Sequence, residues 1–236
     1  MAILTDDEIK DAIKRGEIEI NPFDEENQLQ GSSYDLRLGK RGIISRAITL
    51  EELKGKIARE EVREIPIDKE ESITIPGGAF ALVSSLERVR LSKMHAGHIG
   101  MRTYYIRKGL ALLSGLQIDP GWDAPLIFGL ANLSPRGITL DYMDPLCTIE
   151  IHRLNREAHK SYEGPYMAQQ REGRIPTADK DYLRTIETMS VTDLTRSLID
   201  LSSSIENLGR WVRGFWAGIG ILILLAIFSL IVQLST

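Results

Sequence analysis

Two arginines five residues apart, Arg102 and Arg107, offer groups of a type that can hold an anion. Each guanidinium offers a planar fork of N–H donors that matches two phosphate oxygens at once. Thr103 adds a hydroxyl beside the first fork, and Asp119 puts a carboxylate at the head of an Asp119-Pro120-Gly121 triplet. That triplet is also good turn chemistry, and arginines also serve as structural ion-pair partners, so both readings stand at this point. Metal chemistry finds no footing. Zinc-assisted attack by water needs an H-x-E with a P-C-x-x-C pattern, and the only cysteine is Cys147. His95 and His98 lack sulfur or carboxylate ligands at metal-site spacing and read as surface or loop histidines, so no metal site is expected.

These groups lie in blocks. RTYYIRKGL covers residues 102–110, IDPGW covers 118–122, and Gly129 stands two residues before the Ala131-Asn132 pair. Upstream are GSSYDLRLG (31–39) and PGGAFALVSSLERVRLSKMHAGHIG (76–100); LANLSPRGITL follows at 130–140. Together they resemble the dCTP deaminase branch of the dUTPase superfamily, whose core reads G-R-S-S-L-A-R-x-G-L, then I-D-P-G-[FW], then E-[LF]-x-N. The resemblance spans roughly the first two thirds of the chain, and several independent blocks are far more specific than one short motif.

The resemblance implies a mainly β fold, a dUTPase-like distorted β-barrel or jelly-roll, assembled as a homotrimer whose subunits share each active site. It places Arg102, Thr103 and Arg107 on phosphate, Asp119 on the deoxyribose, and Tyr162 in a C-terminal segment that folds over bound triphosphate. The departures matter as much. Gly129 replaces the family's catalytic glutamate, and a glycine cannot carry the proton that hydrolytic deamination needs. Bulky Tyr104 replaces the second serine of R-S-S. Cys147 and Thr148 stand at a Gly-Gln pair, and SYEGP (161–165) keeps only Tyr162 and Gly164 of K-Y-x-G-Q.

The expectation is therefore a dCTP deaminase-like protein that binds a nucleotide, dCTP- or dUTP-like or a signalling nucleotide, without deaminating it, as a sensor or trimeric scaffold. The alternative is an active nucleotide hydrolase, a dUTPase-like pyrophosphatase or an unorthodox dCTP deaminase, with Asp119 orienting water. No cofactor is required; Mg²⁺ enters only with a bound triphosphate. A purely structural reading makes the β domain an oligomerisation platform.

Composition narrows the setting. A net charge of -4 with 26% charged residues gives no basic footprint for a nucleic-acid polymer. One cysteine suits a reducing compartment. The N-terminus is acidic and lacks a cleavable apolar core, so no signal peptide is expected. Thr5 and Glu8 form a capping box for a short helix ending near Gly16. Alternating apolar residues predict strands at Ile18 and Ile20, at Tyr34, Leu36 and Leu38, at Ile73 and Ile75, at Phe80 and Leu82, and at Ile149 and Ile151. The stretch from Leu50 to Glu64 reads as a charged, helix-prone insertion.

Character changes toward the C-terminus. The expected organisation is a β domain over 1–154, a polar flexible joint over 155–182, an amphipathic stalk over 183–211 and a transmembrane helix over 212–236. From Gly214 to Thr236 there are 23 positions without a charge, and at about 1.5 Å per residue they suffice for a hydrocarbon core of about 30 Å. The membrane is entered through Gly214 to Leu234. Arg210 and Arg213 precede the span and no basic residue follows it, which predicts a single-pass C-terminal anchor with the globular domain in the cytoplasm. Before it, Val191, Leu194, Leu198, Leu201, Ile205 and Leu208 recur at alternating gaps of three and four, the seam of a short coiled coil. Val191 and Ile205 at a with leucine at d lean toward two strands; a trimeric globular domain would dictate three.

Overall fold

The computed structural model describes residues 2–47, 64–67, 72–164, 167–185, 187–188 and 191–235. The chain opens with β1 (Ala2–Ile3), α1 (Asp6–Lys14), β2 (Ile18–Asn21), β3 (Leu29–Gln30), β4 (Ser33–Ile44) and β5 (Arg46–Ala47). Then come β6 (Glu64–Pro66), β7 (Ile73–Ile75), β8 (Phe80–Leu91), β9 (His95–Met101), α2 (Thr103–Arg107), β10 (Leu110–Leu112) and β11 (Gln117–Ile118). The remainder is β12 (Asp123–Asn132), β13 (Ile138–Leu140), β14 (Pro145–Arg153), α3 (Met167–Arg171), α4 (Thr177–Thr185), β15 (Glu187–Thr188) and α5 (Val191–Ser235).

The capping box sets α1. Thr5 Oγ1 accepts from the Glu8 N–H at 3.4 Å while Glu8 Oε2 accepts from the Thr5 N–H at 2.9 Å. Asp6, Asp7 and Glu8 complement the positive end of the helix dipole, and Ile9 and Ala12 seat it on the core. Gly16 follows at φ +71°, the left-handed residue that ends such helices.

The strands make a mainly β body. β10, β12, β8, β4, β14, β9 and β11 lie side by side in that order, with β1 on β14, β2 on β8, and β3 and β6 on β4; every one of these pairings is antiparallel. β4 curls this sheet because residues 34–37 pair with β14 whereas residues 38–44 pair with β8, with a register shift between Leu38 and Gly42. β7 pairs with β13, and β5 pairs in parallel with β15. Every predicted strand pattern falls in a strand, and Tyr34, Leu36, Leu38, Phe128, Leu130, Ile149 and Ile151 are fully enclosed.

Two buried charges, Asp35 and Arg37, break the apolar run of β4. Arg37 is buried and bonds Glu87 twice, through Nε at 2.6 Å and through its backbone N–H at 2.9 Å, while its Nη1 reaches Asp24 at 3.4 Å. Glu87 is wholly enclosed. Charges this deep persist only when paired and hydrogen-bonded, as these are.

Within residues 155–182, the expected polar joint, the described residues include α3 and most of α4. Their polar composition hides spaced anchors: Met167 and Ile175 are buried, as is Leu183 just beyond. Ile175 and Leu183 form a second small core with Ile43, against which Phe80, Leu82 and Ile127 pack. Phe80 and Leu82 thus face outward from β8, while Ala81 and Val83 enter the main core. Of the expected insertion at 50–64, only Glu64 lies among the described residues, at the start of β6.

The chain divides into two units, Met1–Thr192 and Asp193–Thr236. The second is the body of α5, a single helix of 45 residues that runs without a break from Val191, inside the expected stalk, into the expected span. Within it, the stretch from Thr195 to Leu225 contains an 18-residue window of mean hydropathy 1.4, none of it buried, and by length and composition it is long and apolar enough to cross a membrane.

Candidate functional site

Arg102 follows directly from the end of β9, where Met101 pairs with Cys147 and Gly100 with Thr148. Thr148 also pairs with Asp35 of β4, so three strands bring Asp35, Thr148 and Arg102 to one edge. Asp35 is buried; one carboxylate oxygen takes the Thr148 hydroxyl at 2.7 Å, and the other takes Arg102 Nη1 together with Gln30 Nε2 at 3.4 Å. Arg102 is thus an ion-pair residue first. Its side chain is still 37% exposed, which leaves part of its fork toward solvent. Cys147, beside Thr148, is enclosed, and burial pushes its thiol up to about 12, which keeps it protonated and unreactive.

From Arg102 the chain turns into α2. Thr103 and Arg107 are exposed at its two ends, and neither side chain has a hydrogen-bond or ion-pair partner among the described residues. Tyr104 is 60% exposed, with Lys108 Nζ 3.9 Å above its ring and 2.5 Å from its hydroxyl. Tyr105 points inward and donates to Asp144 at 2.7 Å; burial, and then that carboxylate, push its phenol well above the usual range. It anchors the helix that displays Arg107.

Asp119 stands at the head of the turn. Its backbone oxygen accepts from the Trp122 N–H at 3.2 Å, and Gly121 takes φ +84° as the turn requires. Its half-buried carboxylate accepts from Gln117 Nε2 at 2.9 Å. Tyr162 closes over the same turn: its N–H donates to Pro120 O at 2.9 Å, and its ring sits 4.9 Å from the buried Trp122 ring. Ser161 touches the place a Cβ on Gly121 would take. Beyond this strap, Arg171 donates to Asp123 O at 3.1 Å, while Arg88 holds the Asp123 carboxylate at 2.7 Å.

Gly129 lies on β12, opposite Leu82 of β8. Its N–H donates to Ser114 Oγ at 2.5 Å and its carbonyl accepts from the Leu113 N–H at 2.8 Å, so the chain after β10 continues the ladder alongside it. A Cβ built there would meet Phe80 Cζ at 3.1 Å and Ser114 Oγ at 3.5 Å. An aromatic ring and a small hydroxyl therefore occupy the space that a longer side chain at 129 would enter.

The structure thus joins Arg102 to Asp35 and sets Tyr162 against the turn that Asp119 opens, but no hydrogen bond or ion pair links these two groups among the described residues. Sequence reasoning missed Asp35, Phe80 and Ser114. Asp35 was detectable as a charge inside an otherwise buried strand; Phe80 and Ser114 left no local signal. It also missed Asn132, whose enclosed amide donates to Ile75 O at 2.8 Å and Arg136 O at 2.7 Å and shapes the following loop. The two histidines read as surface or loop groups both lie on β9. His95 is enclosed with Nδ1 at 2.9 Å from Ser92 Oγ, and His98 Nδ1 is 3.0 Å from His152 Nε2. Of the two, only His95 is enclosed; His98 stays half-buried.

Comparison with known proteins agrees with this fold. The dCTP deaminase-like family matches residues 3–154. The dCTP deaminase of Thermococcus sibiricus is 34% identical over 156 residues, 66% of this chain and 88% of that protein. That of Pyrococcus abyssi is 35% identical over 157 residues, 66% of this chain and 90% of that protein. Among solved structures, the 2′-deoxycytidine 5′-triphosphate deaminase of Agrobacterium tumefaciens superposes with a TM-score of 0.51 at 16% identity. That superposition covers 64% of this chain and 47% of the Agrobacterium chain, and it speaks for the fold.

Proposed function

Because this chain belongs to the dCTP deaminase-like family, we propose that it is a membrane-anchored protein that binds a nucleotide and does not deaminate it. The observation that carries this reading is Gly129. Hydrolytic deamination needs a group that takes a proton from water and returns one to the ring nitrogen and the leaving amine. Gly129 has no such group, and Phe80 at 3.1 Å leaves little room for a neighbour to supply one there.

Binding is supported by what persists. Arg107 presents a fork with no partner among the described residues, Arg102 keeps part of its own, Thr103 offers a hydroxyl next to Arg102, and Asp119 and Tyr162 line a turn that would meet a sugar. Strong charge-assisted bonds to phosphate are the contribution expected of such forks. The ligand class is a dCTP- or dUTP-like nucleotide or a signalling nucleotide, bound in a homotrimer with sites shared between subunits.

The anchor is the charge-free part of α5, Gly214 to Leu234. Arg210 and Arg213 precede it and Trp211, Phe215 and Trp216 cluster there, which favours a cytoplasmic β domain and an interfacial belt. A sensor role follows if nucleotide favours one seating of the strap that runs from Tyr162 through α4, since only differential affinity shifts an equilibrium.

Calorimetry of the full chain in detergent against dCTP, dUTP and cyclic nucleotides, with ammonia measured in parallel, tests the proposal. Binding without ammonia is expected; ammonia from dCTP, or no binding by any of them, overturns it.

A second reading, a nucleotide hydrolase, draws on the accessible Asp119 carboxylate held by Gln117. Among the described residues no group of three or more His, Cys, Asp or Glu is placed to hold a metal, so Mg²⁺ would arrive with a triphosphate. Chromatographic detection of dUMP from dUTP with Mg²⁺ would establish this reading.

A further inference from the structure

The exposed side chains of α5 are sorted by face. Taking Leu198 as position a of a heptad, positions a and d are Leu198, Leu201, Ile205, Leu208, Val212 and Phe215, all exposed by between 46% and 66%. The flanking e and g positions over the same stretch begin with Thr195, Ser197, Ser202, Ser204 and Gly209 and end with Trp211 and Trp216. Every charge from Arg196 to Arg213, namely Arg196, Asp200, Glu206, Arg210 and Arg213, falls on b, c or f. Ile199 is the one large apolar side chain on that outer face.

This segregation exceeds what an a/d seam needs. Coiled coils that choose their partners by charge carry Glu and Lys at e and g, and here those positions are uncharged and, before Trp211, small. Small flanks let helix backbones approach closely, and an uncharged face of four positions in seven suits burial between several helices better than a lone seam. A membrane surface is the poorer occupant, since the cationic side chains that bind one lie on the opposite face and alternate with Asp200 and Glu206.

We infer that the a, d, e and g face of α5, from Thr195 to Trp216, is a self-association surface whose occupant is the same face of further copies of this chain, packed in parallel. The seam itself stands independently of the proposed function. The parallel sense rests on its membrane reading: an antiparallel partner would set the charge-free residues after Arg213 against Arg196, Asp200 and Glu206.

Single cysteines in the full chain, reconstituted in lipid nanodiscs and treated with a mild oxidant, test this. Leu201→Cys and Leu208→Cys lie on the proposed face; Ser203→Cys and Arg210→Cys lie on the outer one. The enclosed Cys147 leaves the unmodified chain as the baseline. Both inner variants should give disulfide-linked dimers at least several-fold above both outer variants. Equal yields on the two faces, or no linkage anywhere, overturn the surface; linkage at only one inner position overturns the parallel sense. Nucleotide titration of the same nanodiscs separates the claims: failed cross-linking with intact binding removes this inference alone, and the converse removes only the proposed ligand.

Discussion

The Phe80 ring stands 3.1 Å from the point where a Cβ on Gly129 would lie. Phe80 is held there from the other side by the small core of Ile43, Ile175 and Leu183. The missing carboxylate and the packed C-terminal helices are therefore parts of one arrangement: the ring that fills the space beside Gly129 is also a seat for the segment after Tyr162.

Restoring a glutamate should be unfavourable by itself. Gly129→Glu is expected to destabilise the chain by about 1–3 kcal/mol, the usual cost of overpacking, and to release no ammonia from dCTP. Adding Phe80→Ala should recover part of that loss, because the two positions touch and their effects couple. Thermal melts of the single and double variants check this; additive effects would argue against the contact.

The two arginines should behave differently. Arg107→Ala should leave the melting temperature almost unchanged, within about 0.5 kcal/mol for an exposed side chain, while weakening nucleotide binding by about 1.5–3 kcal/mol as a charged hydrogen bond is lost. Calorimetry and melts on one preparation read both quantities. A large stability loss would show that Arg107 has a structural partner.

Arg102→Ala should lower stability by about 1–3 kcal/mol, because it leaves the buried Asp35 carboxylate with only Thr148 and Gln30 as donors. Asp35→Asn should cost less, since the partly exposed Arg102 can turn to water. The reverse order in urea titrations would contradict the pairing.

Gly121→Ala should loosen the strap. It forces a side chain into a left-handed conformation and against Ser161, for a cost of at least about 1 kcal/mol. Faster proteolytic cleavage between residues 155 and 165, with the β body intact, is the expected readout by mass spectrometry.

Acid should destabilise the fold below neutrality. Burial lowers the pKa of His95, and burial with the neighbouring His98 lowers that of His152, each against weaker opposition from Glu17 or Glu150. The unfolded chain then binds more protons than the folded one once pH drops below about 6.5, so stability is full above that value and falls toward the lower folded pKa values. Melting temperatures measured from pH 7.5 to 5 should decline, and His152→Gln should flatten the curve; an unchanged slope would assign the effect elsewhere.

Much of this protein was legible in its sequence because the deciding interactions are local. The capping box at Thr5 and Glu8, the alternation that makes β2, β4, β7, β8 and β14, the Asp119-Pro120-Gly121 turn and the long apolar run of α5 each depend on residues within a few positions of one another. The absence of a proton carrier at residue 129 is likewise a property of the chain alone. Tertiary structure decided which groups are already committed: Arg102 meets Asp35 from 67 positions away, and Thr148 meets it from 113. Those partners, the Phe80 ring beside Gly129 and the burial of Met167, Ile175 and Leu183 within a polar stretch arise only once β4 curls from β14 to β8. Contacts made by strands far apart in the chain leave no period or spacing to read.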